Sequence, residues 1–173
     1  MSDEAPADPA LPAAAATRPV VVVGCGNPLR GDDGVGIHVL HAVAARASLY
    51  PQAEFVDFGT AGFGLLHVLA GRRKAVIVDC ARMGLAPGSL RRFATDQVRS
   101  RQDPPALPSH EGDLLGLLEI ARNAGLCPPT VVILGIEPAS LEPGLDLSPP
   151  LAGRVPEYAD AVERELRNGC GHA

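Results

Sequence analysis

Three side chains in this sequence have the chemistry to hold a divalent metal: Asp33, Asp79 and His110. Asp33 sits in GCGNPLRGDDGVG, Gly24 to Gly36, a glycine-rich turn that runs into a helical pattern. At ~100° per residue, Ile37, Leu40 and Ala44 fall within about 40° of Asp33, so its carboxylate shares the apolar face and points inward. With His110 as origin, Leu114, Leu117 and Ala121 fall in the same sector, which puts His110 on a core face in the first turn of a helix. The helix dipole there disfavours imidazolium and favours the neutral ring that binds metals. Asp79 closes the apolar run VIVD. Two carboxylates and one imidazole suit a first-row divalent metal with open positions. Each residue also has a structural alternative: a helix cap for Asp33, a loop cap for Asp79, a hydrogen-bonded core histidine for His110.

The glycine turn does not read as a phosphate cradle. Gly24 and Gly26 fit a dinucleotide fingerprint, but its third glycine position holds Leu29. A Walker loop needs Gly-Lys-Ser/Thr, where this chain has Leu29-Arg30-Gly31. Asp32 and Asp33 would repel an anion at the helix N-terminus. Gly24, Gly26 and Gly31 are expected to keep the turn tight, through positive φ or close approach. Asp32 points away from the apolar face and is expected to cap the helix or sit in water. Cys25 and Cys80 lie near the same place; they read as small buried hydrophobes or as one half of a Cys–His pair. Asp57 ends another strand and either contacts substrate or bonds the backbone of the GTAG segment that holds Gly59 and Thr60. His38, His41, His67 and His172 read as surface residues.

These residues must be positioned by the elements around them. The continuous β-branched run at 19–24 predicts a strand buried on both faces, 53–59, 74–80 and 130–137 read as further strands, and 88–93 as a short fifth. Helical spacing covers 31–47, 60–71, 109–125 and a final segment near 154–167. The second of these stops at Gly71, and the third is capped by Ser109 and ended by Gly125. Alternating strands and helices predict a single three-layer α/β domain: a mostly parallel twisted sheet of about five strands with helices on both faces. In such folds ligands sit beyond the carboxyl ends of the strands, where Asp33, Asp57 and Asp79 fall.

The remaining composition narrows the function classes. The chain has 173 residues, 46% of them hydrophobic and 3% aromatic, so its core is aliphatic. A formal net charge of −5 argues against nucleic acid or an anionic membrane as partner. No apolar run approaches the ~18–20 residues of a membrane helix. Residues 1–18 are acidic, then Ala/Pro-rich, and are expected to form a disordered tail; 19–168 form the domain and 169–173 a flexible end. Four cysteines without CxxC spacing predict a reduced, cytoplasmic protein.

Five segments, taken in order, are similar to one family. They are VVVGCGNPLRGDDGVG, DFGTAGFGLL, AVIVDCAR with PGSLRRF, PSHEGDLLGLLE, and VILGIEP with LEPGLDLSP. Across about residues 19–168 the chain resembles the hydrogenase maturation endopeptidases, which process the large subunit of nickel-iron hydrogenases. The resemblance implies a compact α/β domain and an aspartyl-type endopeptidase that removes a short C-terminal extension from the large-subunit precursor after nickel insertion. It implies that nickel is supplied by the precursor as a recognition element rather than held permanently by the protease. It also assigns the metal-contacting positions to Asp33, Asp79 and His110, and an auxiliary role to Asp57. A monomer is expected, because one face must admit a large partner. Two other readings share the same residues: a nickel-checking chaperone that binds the precursor without cutting it, and a small-molecule enzyme with a structural Asp–Asp–His cluster.

Overall fold

The computed structural model describes residues 18–60, 62–94 and 114–168. Five strands form one sheet: β1 (Val20–Cys25), β2 (Ala53–Gly59), β3 (Lys74–Cys80), β4 (Leu90–Ala94) and β5 (Thr130–Ile136). Their order is β2-β1-β3-β5-β4. β1 pairs in parallel with β2 and β3, and β3 with β5, while β4 closes the far edge antiparallel to β5. The expected fold is therefore the observed one, with β4 as its single antiparallel strand. The described helices are α1 (Val35–Ala44), α2 (Gly64–Leu69), α3 (Leu114–Asn123), α4 (Pro149–Ala152) and α5 (Val155–Asn168). None of them is long and apolar enough to cross a membrane.

Alternation along the strands builds two cores. Val20 and Val22 of β1, Val76 and Val78 of β3, and Val132 and Leu134 of β5 face a layer made by α1 and α5. Val21 and Val23, Ala75 and Ile77, and Val131 and Ile133 face α2 and α3. Both faces are covered, which is why these strands read as unbroken apolar runs rather than as alternating ones. Each fully buried valine or leucine contributes roughly 1.5–3 kcal/mol.

The helices start later, or run shorter, than the spacing predicts. The segment 31–47 opens as a 3-10 turn over Gly31–Gly34 before α1 begins at Val35. The 60–71 segment is helical only over Gly64–Leu69. Ser109, the expected cap of α3, and His110 lie outside the described residues; the C-terminal stop at Gly125 has φ +70°, as a left-handed glycine terminator requires. A short helix, α4, occupies part of the proline-rich stretch read as loop.

Because β1 lies between β2 and β3, the chain reverses direction across the sheet at the β1/β3 boundary. That is the topological switch point, where a crevice opens beyond the carboxyl ends of the strands. Gly26 to Asp33 follow β1 and Asp79 nearly ends β3, so both carboxylates belong to this crevice.

Candidate functional site

Asp33 is held by the shape of the glycine turn. Gly26 has φ +126°, and a Cβ there would lie 1.7 Å from the Asp33 carbonyl oxygen. Only glycine lets the two backbone segments approach this closely. The Asn27 amide then donates to Asp33 Oδ2 at 3.1 Å. A Cβ on Gly24 would meet the Gly36 carbonyl oxygen at 2.6 Å, and one on Gly36 would meet the Val78 carbonyl oxygen at 2.4 Å. These two glycines press α1 directly onto β1 and β3. Gly31 has φ +54° and donates its amide to the Gly144 carbonyl at 2.8 Å. The carboxylate of Asp33 is buried, in keeping with its place on the apolar face.

Asp79 is buried beside it. Loss of solvation, then the charge of Asp33, pushes its carboxyl up to about 7 from the usual value near 3.8, against a backbone hydrogen bond from Cys80 that lowers it. Among the described residues neither carboxylate has an ion-pair partner. Cys80 sits in the same electrostatic setting. Burial, then Asp33, Asp79, Asp32 and Glu137, push its thiol well above the usual range. Cys25 is raised in the same way, by burial and then by Asp79 and Asp57. A thiolate nucleophile is disfavoured at both positions, and both cysteines are buried apolar side chains.

Asp32 departs from its expected role. It neither caps a helix nor faces water: it is fully buried. Its carboxylate accepts the amides of Ala139 at 2.8 Å, Ser140 at 3.0 Å and Ser148 at 2.7 Å, and the Ser148 hydroxyl at 2.8 Å. These bonds outweigh desolvation and hold the carboxyl below its ordinary range. The reason is tertiary: the segment after β5 folds back over the glycine turn, with Leu29, Arg30 and Gly31 bonded to or bridged with Gly144. The adjacent aspartates thus divide the work. Asp32 anchors a loop and Asp33 faces the crevice.

Asp57 lies at the rim, half exposed. Its Oδ1 accepts the Gly59 amide at 3.3 Å, and its Oδ2 is 3.3 Å from Nε2 of His41, an exposed residue of α1. Gly59, with φ +58°, accepts the Gly26 amide at 2.8 Å, which ties the end of β2 to the glycine turn. Thr60 is exposed next to it. His110 lies outside the described residues, and among the described ones no three His, Cys, Asp or Glu side chains are grouped to hold a metal ion.

Two contributors escape local reading. Glu137, just past β5, is buried and accepts the amides of Met83 at 2.6 Å and Leu85 at 3.2 Å. It thereby fixes the loop that follows Asp79. A strand-end acid in VILGIEP is the only local signal for it. Gly36 is the second, hidden because the close approach it permits is to a strand that follows 38 residues later, beginning at Lys74. Arg72 pairs with Glu54 and Lys74 with Glu165 near the amino ends of the strands.

The protein is a doubly wound α/β domain whose switch-point crevice carries two buried carboxylates where a nucleotide-binding fold has its phosphate cradle. Residues 37–165 match the family model of the HycI hydrogenase maturation proteases. The chain belongs to that family, and it is a peptidase. It is 30% identical to the hydrogenase 2 maturation protease of Escherichia coli over 149 residues, covering 86% of this chain and 90% of that one. It superposes on the hydrogenase maturating endopeptidase HybD of E. coli with a TM-score of 0.73 at 27% identity, covering 87% and 93% of the two chains. The hydrogenase 2 maturation peptidase of a Thaumarchaeota archaeon gives a TM-score of 0.65 at 30% identity, covering 86% and 97%.

Proposed function

We propose that this peptidase removes the C-terminal extension of a nickel-iron hydrogenase large-subunit precursor, and that it engages the precursor only when nickel is in place. In this reading nickel arrives as part of the substrate. Asp33 and Asp79 take part of its coordination from the crevice side, and His110 completes the set. The observation that carries the reading is the buried Asp33–Asp79 pair. Two carboxylates at close quarters, one of them pushed up to about 7, are mismatched with each other and matched to a cation. Their donor set, carboxylate oxygens with a neutral imidazole, suits a first-row divalent ion.

With the precursor's metal seated there, its C-terminal segment lies along the rim formed by Asp57, Gly59 and Thr60. Water then adds to the scissile carbonyl carbon, the C–N bond breaks, and the proton from water ends on the released amine. Asp33, which faces the crevice, or Asp57, at the rim and bonded to Gly59 and His41, serves as the proton acceptor. The protein acts in a reducing compartment, in keeping with the buried thiols of Cys25 and Cys80.

The test is intact mass spectrometry of the precursor, with and without nickel, mixed with the wild-type protein and with Asp33→Ala and His110→Ala. Loss of a short C-terminal peptide only from the nickel-loaded precursor, and only with the wild-type protein, is the expected result. Cleavage of the nickel-free precursor at the same rate contradicts the metal requirement. Wild-type cleavage by either variant removes that residue from the site.

A further inference from the structure

The large exposed apolar side chains are not scattered. Among the described residues they are Leu29, Leu49, Phe63, Leu85, Ile120 and Leu145. Four of the six lie on loops that leave the carboxyl ends of different strands. Leu29 follows β1, Phe63 follows β2, Leu85 follows β3 and Leu145 follows β5. Phe63 is 73% exposed and Leu145 70%. The other two lie away from this edge, Leu49 in the turn before β2 and Ile120 on α3.

Backbone hydrogen bonds hold the segments that carry Leu29, Leu85 and Leu145. Gly144 donates its amide to the Leu29 carbonyl at 3.0 Å, so Leu29 and Leu145 are presented from two paired segments. The Leu85 amide is held by Glu137. Four strands at ~4.8 Å spacing make this edge about 14 Å wide at its base. A protein surface covers that width in a single contact. Asp33 follows β1 and Asp79 lies near the end of β3, the two inner strands of these four. Two carboxylates midway along an edge that also carries four exposed apolar side chains are complemented by a cation set in apolar protein surface.

We infer that Leu29, Phe63, Leu85 and Leu145 form a docking ring for the substrate protein, seating the apolar surface around its metal before cleavage. The inference rests on the reading above, that a metal-loaded precursor is the substrate. The ring gives that reading a specificity device separate from the metal contact. It recognises the protein around the ion, so that a free ion or a short peptide does not compete.

The test compares Leu29→Ser with Leu145→Ser, Phe63→Ser, and the control substitutions Leu49→Ser and Ile120→Ser. Cleavage of the nickel-loaded precursor is followed over a range of precursor concentrations, with thermal unfolding to confirm folding. Each ring variant is expected to raise the half-saturating concentration by about tenfold, as removal of one apolar anchor does at a protein interface. The controls leave it unchanged. Ring variants that match the wild type in a system where the wild type cleaves overturn the ring and leave the substrate assignment standing. A loss of affinity equally large in the controls also overturns it. A wild-type protein that neither binds nor cleaves the precursor overturns the substrate assignment, and the ring with it.

Discussion

Replacing Asp32 is expected to loosen the roof of the site without touching the residues that face the crevice. The carboxylate accepts four hydrogen bonds, three from amides and one from a hydroxyl, all between 2.7 and 3.0 Å. A hydrogen bond to a charged group contributes roughly 1.5–3 kcal/mol, so four set a ceiling of about 6–12 kcal/mol. The true cost is smaller, because Ala139 and Ser140 are exposed and their amides can turn to water once released. Asp32→Ala is expected to cost about 3–5 kcal/mol and Asp32→Asn about 2–4 kcal/mol. Asparagine keeps the shape but sets an NH2 group against amides that also donate.

The pH dependence has a definite sign. A carboxyl held below its unfolded value contributes stability that is present above about pH 4 and lost as the pH falls through the folded value. The wild type should therefore exceed Asp32→Asn in urea unfolding at pH 7, and the gap should narrow at pH 3. A variant within about 0.5 kcal/mol of wild type at pH 7 would refute the anchoring role, since that is the scatter of neutral surface substitutions. A gap independent of pH would refute its charge-assisted origin. Loss of the anchor frees the Gly144 segment from Leu29 and Gly31, so precursor cleavage should fall in parallel with stability.

Asp79→Asn should separate stability from function. The folded protein binds a proton at Asp79 more tightly than the unfolded chain, so wild-type stability declines as pH rises from about 4 to about 7; the variant escapes this and should be about 2–4 kcal/mol more stable at pH 8, with no gain at pH 4, while cleavage is lost. Equal stability of the two proteins at pH 8 would contradict the burial argument. Gly26→Ala places a methyl group 1.7 Å from the Asp33 carbonyl oxygen at a φ of +126°, and should cost about 3 kcal/mol or more and impair cleavage, checked by calorimetry and the precursor assay. Glu165→Ala leaves Lys74 without the carboxylate that lies 3.1 Å away, and should destabilise by about 3–5 kcal/mol in urea, while the residual folded fraction retains cleavage because this network lies away from the crevice.

What the sequence determines by itself here is local and periodic. The unbroken apolar runs that become β1, β3 and β5 are buried on both faces, and that burial is written into every residue of the run. The inward direction of Asp33 follows from its phase with Ile37 and Leu40, and the position of Asp79 from the end of its strand. The tertiary structure alone decides what depends on distant partners. Asp32 and Asp33 are neighbours with the same side chain, and only the return of residues 139–148, more than a hundred positions later, makes one an anchor and leaves the other at the crevice. The same holds for Gly36 against β3, for Glu137 holding the loop after Asp79, and for the strand order that brings β1 between β2 and β3. Local periodicity fixes which face a side chain takes. Long-range packing fixes what that face meets, and no short window of sequence contains that information.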